Sequence, residues 1–292
     1  MLAAERFGRL LSDLALTEDE RALGVRAHRA ARATLQAHYY GHLSIQDHSR
    51  LIGAWSKGTE IRPSRGIDLL FVLPKGMRER EWPSADNVPR QILLDVKQVL
   101  EGAHGQVRPR PDGRAMAVSI DNQIVELRAA FAQPGGRFLV CDATGEGRFV
   151  TADPSLEEAN VRHADSRTHG NARDLIRMVK CWRDFRSVPL RSFWIELLAI
   201  DFLERWPRAG DETSFYDWMI RDFFTFLMNE SGRALAVPGS DEIMPIGAEW
   251  LGAARTAHTH AAKACDCESE GLNADAWWEW EKIFGERIPL ET

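Results

Sequence analysis

Two acidic residues and a glycine-rich turn are the features of this chain whose types and spacing could carry out phosphate chemistry. The stretch "LIGAWSKGTEIRPSRGIDLLFVLP" runs from Leu51 to Pro74, and its glycines would let backbone N–H groups approach a phosphate closely. It continues into an apolar run that contains Asp68. A second apolar segment, "IVELRAAF", contains Glu126, and a buried acid needs a partner or a cation. We therefore expect Asp68 and Glu126 to face each other.

The spacing around Asp68 is that of a strand with one of its two acids missing. Side chains alternate along a strand, so positions 66 and 68 share one face. Two carboxylates held in this way are what a pair of Mg²⁺ ions needs for in-line nucleotidyl transfer. Here the first position is Gly66, and only Asp68 remains. An ordinary hairpin turn followed by a surface aspartate is the alternative that these residues leave open.

Hydrophobic periodicity predicts the elements that must position these residues in the first half of the chain. An amphipathic helix starts near Thr17 with a capping pattern, and "VPRQILLDVKQVLEGAHG" has helical spacing. "GIDLLFVLP" reads as a buried strand. "AMAVSIDNQIVELRAAFA" reads as two strands that turn at Asp121 and Asn122, and "GRFLVCDA" is a candidate for another. This half is expected to be built on a sheet.

From about Pro154 the periodicity becomes helical. It is seen in "ARDLIRMVKCWRDF", "RSFWIELLAIDFLERW", "SFYDWMIRDFFTFLM" and "GAEWLGAARTAHTHAAKACDCESEG". We therefore expect an α+β protein with two lobes. Residues 1–153 would form a mixed-sheet α/β lobe with an N-terminal helix, and residues 154–292 a helical lobe.

Composition limits the classes of partner and compartment. The chain has 292 residues with 44% hydrophobic and 27% charged residues, which is typical of an ordered globular protein. A net charge of -6 argues against a constitutive binder of duplex nucleic acid. No segment reaches about 18 consecutive apolar residues, so no membrane partner is expected. Four unevenly spaced cysteines do not make a disulfide framework, and we expect a cytoplasmic protein.

Taken in order, these motifs resemble those of the bacterial cGAS/DncV-like nucleotidyltransferases (CD-NTases) of CBASS anti-phage systems, in the polymerase-β-like superfamily. "GAWSKGTEIRP" with "IDLLFVLP" is similar to their GS-x3-GT…DxD segment, and "VELRAAF" to their [DE]-h-h-P-A-F strand. "LIRMVKCWRD" with "VPLRSFWIELL" resembles their helical-lobe pair, and "WWEWEKIFGERIP" their W-x-x-I-F-G ending. The resemblance covers the chain from about residue 15 to its end.

The resemblance implies a two-lobed polymerase-β-like nucleotidyltransferase fold, NTP substrates and Mg²⁺ (or Mn²⁺) as cofactor. The implied reaction joins NTPs into a cyclic or linear oligonucleotide second messenger, with a CBASS effector or a regulatory protein as partner. Asp68 and Glu126 would be catalytic and would bind the metal. The implied nucleotide-binding residues are Gly53, Ser56, Lys57 and Gly58 for the triphosphate, Lys180 and Ser192 for phosphate, and Phe193 for stacking on a base.

The chain departs from the family pattern at the catalytic end of the predicted sheet. Ala54 replaces the serine of the GS pair, Gly66 replaces the first aspartate, and Arg128 and Ala129 stand before the final "AF". Losing a carboxylate shared by two metal ions should cost several kcal/mol of transition-state stabilisation. Two interpretations therefore stay open. The chain is either a working nucleotidyltransferase or a catalytically impaired pseudoenzyme that binds nucleotides or regulates a partner.

Three other features have two interpretations each. A metal site is the less favoured interpretation of His258, His260, Cys265 and Cys267, whose spacing matches no known zinc motif. The "WWEWEKIFG" segment is expected to be core rather than an exposed patch. One helix face carries Arg173, Arg177 and Lys180, and would be either solvated or directed at a triphosphate.

Overall fold

The computed structural model describes residues 3–41, 46–82, 87–211 and 215–289. Most strands in this part of the chain belong to one seven-stranded sheet. These strands are β1 Ser49–Ile52, β2 Ile67–Val72, β3 Val107–Pro109, β4 Met116–Ile120, β5 Gln123–Ala132, β6 Phe138–Asp142 and β7 Arg148–Ala152. The helices of the first half are α1 Ala3–Leu14, α2 Glu18–Tyr40, α3 Gly53–Lys57, α4 Gly76–Glu79 and α5 Val88–His104.

The sheet is mixed, as the sequence predicts. Its main order is β1-β2-β5-β4-β3, and β6 pairs with the far end of β5 and with β7. The pair β2 and β5 is parallel, and the other pairs are antiparallel. The parallel pair lies in the middle of the sheet, where strands are held on both sides. It is the pair that carries Asp68 and Glu126.

The two faces of the central strands carry different residues, because successive side chains along a strand point to opposite faces of the sheet. Ile67, Leu69 and Phe71 of β2 are buried with α2 and α5 in one hydrophobic cluster, together with Val125 and Leu127 of β5. The opposite face carries Gly66, Asp68, Glu126 and Arg128, which line a cavity. One face therefore stabilises the sheet, and the other is available for chemistry.

Local signals in the first half are confirmed. Thr17 caps α2: its hydroxyl accepts from Glu20 N at 3.2 Å, and the Glu20 carboxylate accepts from Thr17 N at 2.8 Å. Asp121 and Asn122 have positive φ angles of 49° and 61°, and join β4 to β5 as a two-residue hairpin. The candidate strand in "GRFLVCDA" is β6. The turn "GAWSK", in contrast, is the short helix α3.

The second half is mainly helical, with one small hairpin. Its elements are α6 Pro154–Arg167, α7 Asn171–Phe185, α8 Ser192–Arg205, α9 Tyr216–Asn229, β8 Ala234–Ala236, β9 Ile243–Pro245, α10 Leu251–Ser269 and α11 Asn273–Phe284. The helices of the second half share one hydrophobic cluster. The first helix of the chain, α1, belongs to this cluster through Phe7, Leu10 and Leu14. The chain therefore begins among the second-half helices before α2 covers the sheet.

The C-terminal aromatic segment is mostly core, as expected. Trp280 and Phe284 are fully buried and pack against Phe7 of α1. Trp278 is different, because 55% of it is exposed. None of the described helices combines the length and the apolar character that a membrane span requires.

Candidate active site

A cavity of about 690 Å³ lies between the sheet and the second-half helices. Its floor is the polar face of β2 and β5, and its walls come from α3, α7, α8 and the turn between β8 and β9. Of the residues predicted for nucleotide or metal binding, those that line it are Gly53, Lys57, Asp68, Glu126, Lys180, Ser192 and Phe193. Ser56 and Gly58 are not among the lining residues.

Asp68 and Glu126 lie side by side at the floor of the cavity. They are register partners in the parallel pair of β2 and β5, so their side chains leave the sheet on the same face. The face-to-face arrangement expected from the sequence is thus present. Burial raises the pKa of the Asp68 carboxyl to about 6, although the nearby Arg128 opposes this shift. Asp68 has no salt bridge or hydrogen bond to the part of the chain that the structure describes.

Gly53 allows Asp68 to occupy its position. A Cβ placed on Gly53 would lie only 2.1 Å from Asp68 Oδ2. The backbone of Gly53 is also left-handed, with φ of +71°, which a side chain disfavours. The first glycine of the predicted phosphate turn therefore creates space for the carboxylate. Ala54 follows it on the cavity wall without the hydroxyl of the family serine.

Gly66 leaves an open corner beside Glu126. A Cβ added there would lie 3.6 Å from Glu126 Cγ and 3.2 Å from the carbonyl oxygen of Ile124. A carboxylate at position 66 would therefore join the two acids already present. The φ angle of Gly66 is +154°, a conformation that favours glycine, so a side chain would also require the start of β2 to shift.

Two arginines approach the acids from the same side of the sheet. Arg110 forms a salt bridge with Glu126, so this carboxylate is already neutralised. Arg128 lies two residues after Glu126 on β5 and shares its face. The Nε atom of Arg128 is buried and has no hydrogen-bond partner within the described ranges. Arg128 within the cavity lining and Arg110 outside it therefore compensate part of the negative charge of the acid pair.

The short helix α3 is fixed by bonds of its own and of its neighbours. Ser56 Oγ donates to the Gly53 carbonyl at 3.1 Å, and Trp55 Nε1 donates to the Gly66 carbonyl at 3.0 Å. Gly58 caps the helix in a left-handed conformation with φ of +68°. Ser56 thus acts on the shape of the segment, and a role for its backbone in holding triphosphate stays a prediction.

The two arginines on the basic face of α7 contact this segment and remain partly exposed to solvent. Arg173 Nε donates to the Lys57 carbonyl at 2.8 Å, and Arg177 Nη2 donates to the Gly58 carbonyl at 2.9 Å. Arg173 and Arg177 are absent from the cavity lining, whereas Lys180 on the same helix face lines it, and a contact of this face with triphosphate stays a prediction. The two arginines satisfy carbonyl groups at the C-terminal end of α3, where cations are favoured.

Lys180 and Lys57 share one buried carboxylate, Glu196 of α8. Lys180 Nζ lies 3.0 Å from Glu196 Oε1, and Lys57 Nζ lies 2.5 Å from Oε2. Lys180 also donates to the Thr59 hydroxyl at 2.9 Å, and this hydroxyl donates to Glu196 at 3.0 Å. Burial alone would raise the pKa of Glu196, but Lys180 and Lys57 outweigh it and hold the pKa at about 2.

This network gives the two lysines a structural role that the sequence did not predict. The amine of Lys180, predicted to reach phosphates, is engaged by Thr59 and Glu196, and only 2% of the residue is exposed. Lys57 is engaged by Glu196 and lies 5.3 Å from the Phe193 ring centroid. In the structure both amines therefore tie the predicted phosphate turn to α8, and contact of Lys180 with phosphate stays a prediction. Glu196 was not predicted as a site residue, although an acid inside the apolar run "SFWIELLAI" indicates a buried carboxylate with a partner.

Ser192 and Phe193 stand at the start of α8 on the cavity wall. Ser192 Oγ accepts from Arg183 Nη1 at 2.6 Å, and Arg183 is buried. Phe193 lines the cavity next to Lys57. The two residues are thus placed on the same wall, and their predicted contacts with phosphate and base stay predictions.

A cluster of charged residues lines the cavity near the turn between β8 and β9. Glu242 accepts from Arg114 through both carboxylate oxygens, at 2.7 and 2.8 Å, and from Arg148 at 3.0 Å. Asp142 of β6 accepts from the same two arginines. These bonds join the sheet to the second-half hairpin, and no sequence pattern indicated them.

The acids fit one divalent cation and not two. Asp68 is a carboxylate without a partner among the described residues, and Mg²⁺ is commonly held by one or two carboxylates plus the phosphates of its nucleotide. A second ion would lack the bridging ligand, because Gly66 offers no oxygen on its side chain. Within the described ranges no group of three or more acidic, histidine or cysteine side chains could hold a metal. His260 of the candidate zinc cluster instead pairs with Glu279 at 2.6 Å.

The fold and the site define a class of nucleotidyltransferase-like proteins, and comparison with known families agrees. The profile of the SMODS family, the Second Messenger Oligonucleotide or Dinucleotide Synthetase domain, matches residues 1–164. The chain belongs to this family. The resemblance to the CD-NTases is thereby confirmed, as is the two-lobed polymerase-β-like α+β fold.

Individual relatives are similar over nearly the whole chain. A probable cyclic nucleotide synthase of Bacillus cereus (strain VD146), IK1_05630, is 21% identical, and the matched region covers 81% of each of the two chains. The structure of E. coli MS115-1 CdnC with ATP has a TM-score of 0.67 at 16% identity, covering 98% of this chain and 99% of that one. Vibrio cholerae DncV in its apo form has a TM-score of 0.69 at 13% identity, covering 99% and 96%.

Proposed function

We propose that this protein binds NTPs in the cavity and joins them into a cyclic or linear oligonucleotide second messenger. One observation supports this most directly. Asp68 and Glu126 lie side by side on a parallel strand pair, at the floor of a cavity that also exposes Gly53 and Lys57 of the phosphate turn. Membership of the SMODS family supports the same reaction class.

In this proposal Asp68 and Glu126 hold one divalent cation, Mg²⁺ or Mn²⁺. The ion supplies positive charge against the triphosphate and favours ionisation of an attacking hydroxyl. Arg110 must then share Glu126 or release it, since the two are paired in the structure. Gly53 keeps the carboxylate of Asp68 accessible by leaving space beside it.

The walls of the cavity supply orientation. Ser192 is proposed to donate to a phosphate oxygen while it accepts from Arg183, because a hydroxyl can do both. Phe193 is proposed to stack on a base, as aromatic faces accept any base. Lys180 would reach phosphate only by exchanging its bonds to Thr59 and Glu196.

A second candidate function rests on the open corner at Gly66. With one carboxylate missing and Glu126 paired with Arg110, the site is poorer in negative charge than two ions require. The protein would then bind nucleotides without efficient transfer and regulate a partner. The experiment below separates the two functions.

The proposed biological setting is anti-phage defence in the cytoplasm. It is supported by the resemblance to CBASS CD-NTases and by four free cysteines, three of them buried, as expected in a reducing compartment. E. coli MS115-1 CdnC has been solved in complex with a HORMA protein at 16% identity to this chain. A regulatory protein is accordingly proposed as partner here, with an effector that responds to the product.

The test is a product assay with all four NTPs and Mg²⁺ or Mn²⁺. Parent protein is expected to form oligonucleotide, and Asp68→Ala is expected to form none because the buried metal ligand is lost. Asp266→Ala removes an exposed aspartate on α10 and should behave as the parent does.

Each other outcome has a clear meaning. Equal product from Asp68→Ala would contradict the proposed site. Absence of product from the parent, combined with a melting temperature that NTPs raise, would favour the regulatory function.

A further inference from the structure

Arg128 is a cationic residue on the face of the sheet that carries the two acids. It lies on the same face of β5 as Glu126, two residues further along, and its register partner on β2 is Leu70. Leu70 is two residues beyond Asp68 and is buried. The base of the Arg128 side chain therefore lies next to an apolar residue, and the side chain lines the cavity together with both acids.

Arg128 acts on Asp68 through its charge but forms no direct bond to an acid among the residues that the structure describes. Its neighbour Arg110 is paired with Glu126, whereas Arg128 has no salt bridge to a described residue. Its buried Nε also lacks a hydrogen-bond partner there. A buried donor without an acceptor is costly, and a guanidinium more so than a neutral group. An anion entering the cavity would remove this cost.

The chemistry of the missing partner follows from the geometry of the side chain. A guanidinium offers a planar fork of donors that matches the oxygens of phosphate. Arg128 lies beside the acid pair and Arg110 is bonded to Glu126, so an anion that enters here meets less uncompensated negative charge than it would beside two bare acids. In a two-metal site, by contrast, the acids repel a bare triphosphate.

We propose that Arg128 binds the triphosphate of the incoming nucleotide directly, in the place of a second divalent ion, so that the cavity accepts metal-free NTP. This inference rests on the proposed nucleotide site and adds to it the form in which the substrate is bound. A divalent ion held by Asp68 and Glu126 would then be needed for transfer and not for binding.

The test is the affinity for each of ATP, GTP, CTP and UTP, measured by calorimetry in EDTA and in Mg²⁺. Parent protein is expected to bind at least one NTP in EDTA within about tenfold of its affinity in Mg²⁺. Arg128→Leu should weaken binding in EDTA by about tenfold to a hundredfold, because a charge-assisted contact is lost. Arg128→Lys should retain part of it, since it keeps the charge without the fork.

Arg108→Leu is the matched control. Arg108 is an exposed arginine of β3, outside the cavity lining, so the variant makes the same change in net charge away from the site. It should bind NTP in EDTA as the parent does. Melting temperatures of all variants without nucleotide establish that each is folded.

The outcomes distinguish this inference from the proposed function. If the parent bound NTP in Mg²⁺ but not in EDTA, the role of Arg128 would be overturned while the nucleotide site stands. The same conclusion would follow if Arg128→Leu bound NTP in EDTA as tightly as the parent. Loss of binding in Arg108→Leu equal to that in Arg128→Leu would show a general charge effect and also overturn it. Absence of NTP binding in every condition would overturn both.

Discussion

Replacing Glu196 by glutamine should destabilise the protein strongly, because this carboxylate neutralises two buried lysines. Only 4% of its side chain is exposed, and Lys57 and Lys180 are buried to the same degree. Breaking a buried pair by removing one partner costs about 3–5 kcal/mol. A pKa of about 2 in the fold, against about 4.3 in the unfolded chain, gives about 3 kcal/mol near pH 7 by an independent route.

The sign of the pH dependence follows from Lys180. Burial already lowers its pKa, and the loss of Glu196 should lower it further. The folded variant then binds fewer protons than its unfolded state, so its stability rises with pH. The difference between parent and Glu196→Gln should therefore narrow between pH 7 and pH 9.

Urea unfolding at several pH values measures this difference. Glu204→Gln is the control, since Glu204 lies on the same helix and is exposed. It should unfold within about 0.5 kcal/mol of the parent. A Glu196→Gln variant within about 1 kcal/mol of the parent at pH 7, or a difference that widens towards pH 9, would refute the reasoning.

Three further predictions concern the cavity. Asp68→Asn should raise the free energy of unfolding by up to about 3 kcal/mol near pH 7.5, because burial raises the pKa of this acid to about 6. The gain should fall below pH 6 and vanish towards pH ~3, below the pKa of about 3.9 in the unfolded chain, and a pH-independent gain would contradict this explanation. Gly53→Ala should lower the melting temperature and weaken NTP binding, whereas Gly105→Ala, with a similar positive φ and open space, should lower the melting temperature only. Glu242→Gln should lower the free energy of unfolding by about 1 kcal/mol, because its bonds to Arg114 are weakened, and should speed hydrogen exchange in β9. Unchanged exchange would argue against a role of these bonds in holding the hairpin to the sheet.

The parts of the fold that the sequence predicted are those determined by neighbouring residues. The Thr17 cap and the Asp121–Asn122 hairpin depend on three or four consecutive positions, so their patterns are legible in the chain. The proximity of Asp68 and Glu126 followed from strand alternation and from the cost of burying an acid.

The parts that could not be predicted depend on contacts between distant segments. Nothing near Lys180 shows that Glu196 and Thr59 engage its amine, and its spacing fits a phosphate contact equally well. The direction in which Arg173 points is likewise decided by the placement of α7 against α3. The packing of α1 among the second-half helices requires knowledge of the whole core.

The central claim is that the cavity is a nucleotidyltransferase centre that lacks one carboxylate, at Gly66. The most direct measurement is the rate of product formation from NTPs and Mg²⁺ by Gly66→Asp and Gly66→Asn. Both variants carry the same Cβ and the same backbone strain, so the ratio of their rates isolates the effect of the side-chain charge at position 66. We predict that Gly66→Asp is faster by at least about tenfold, as expected for a restored metal ligand. Equal rates for the two variants would contradict the claim.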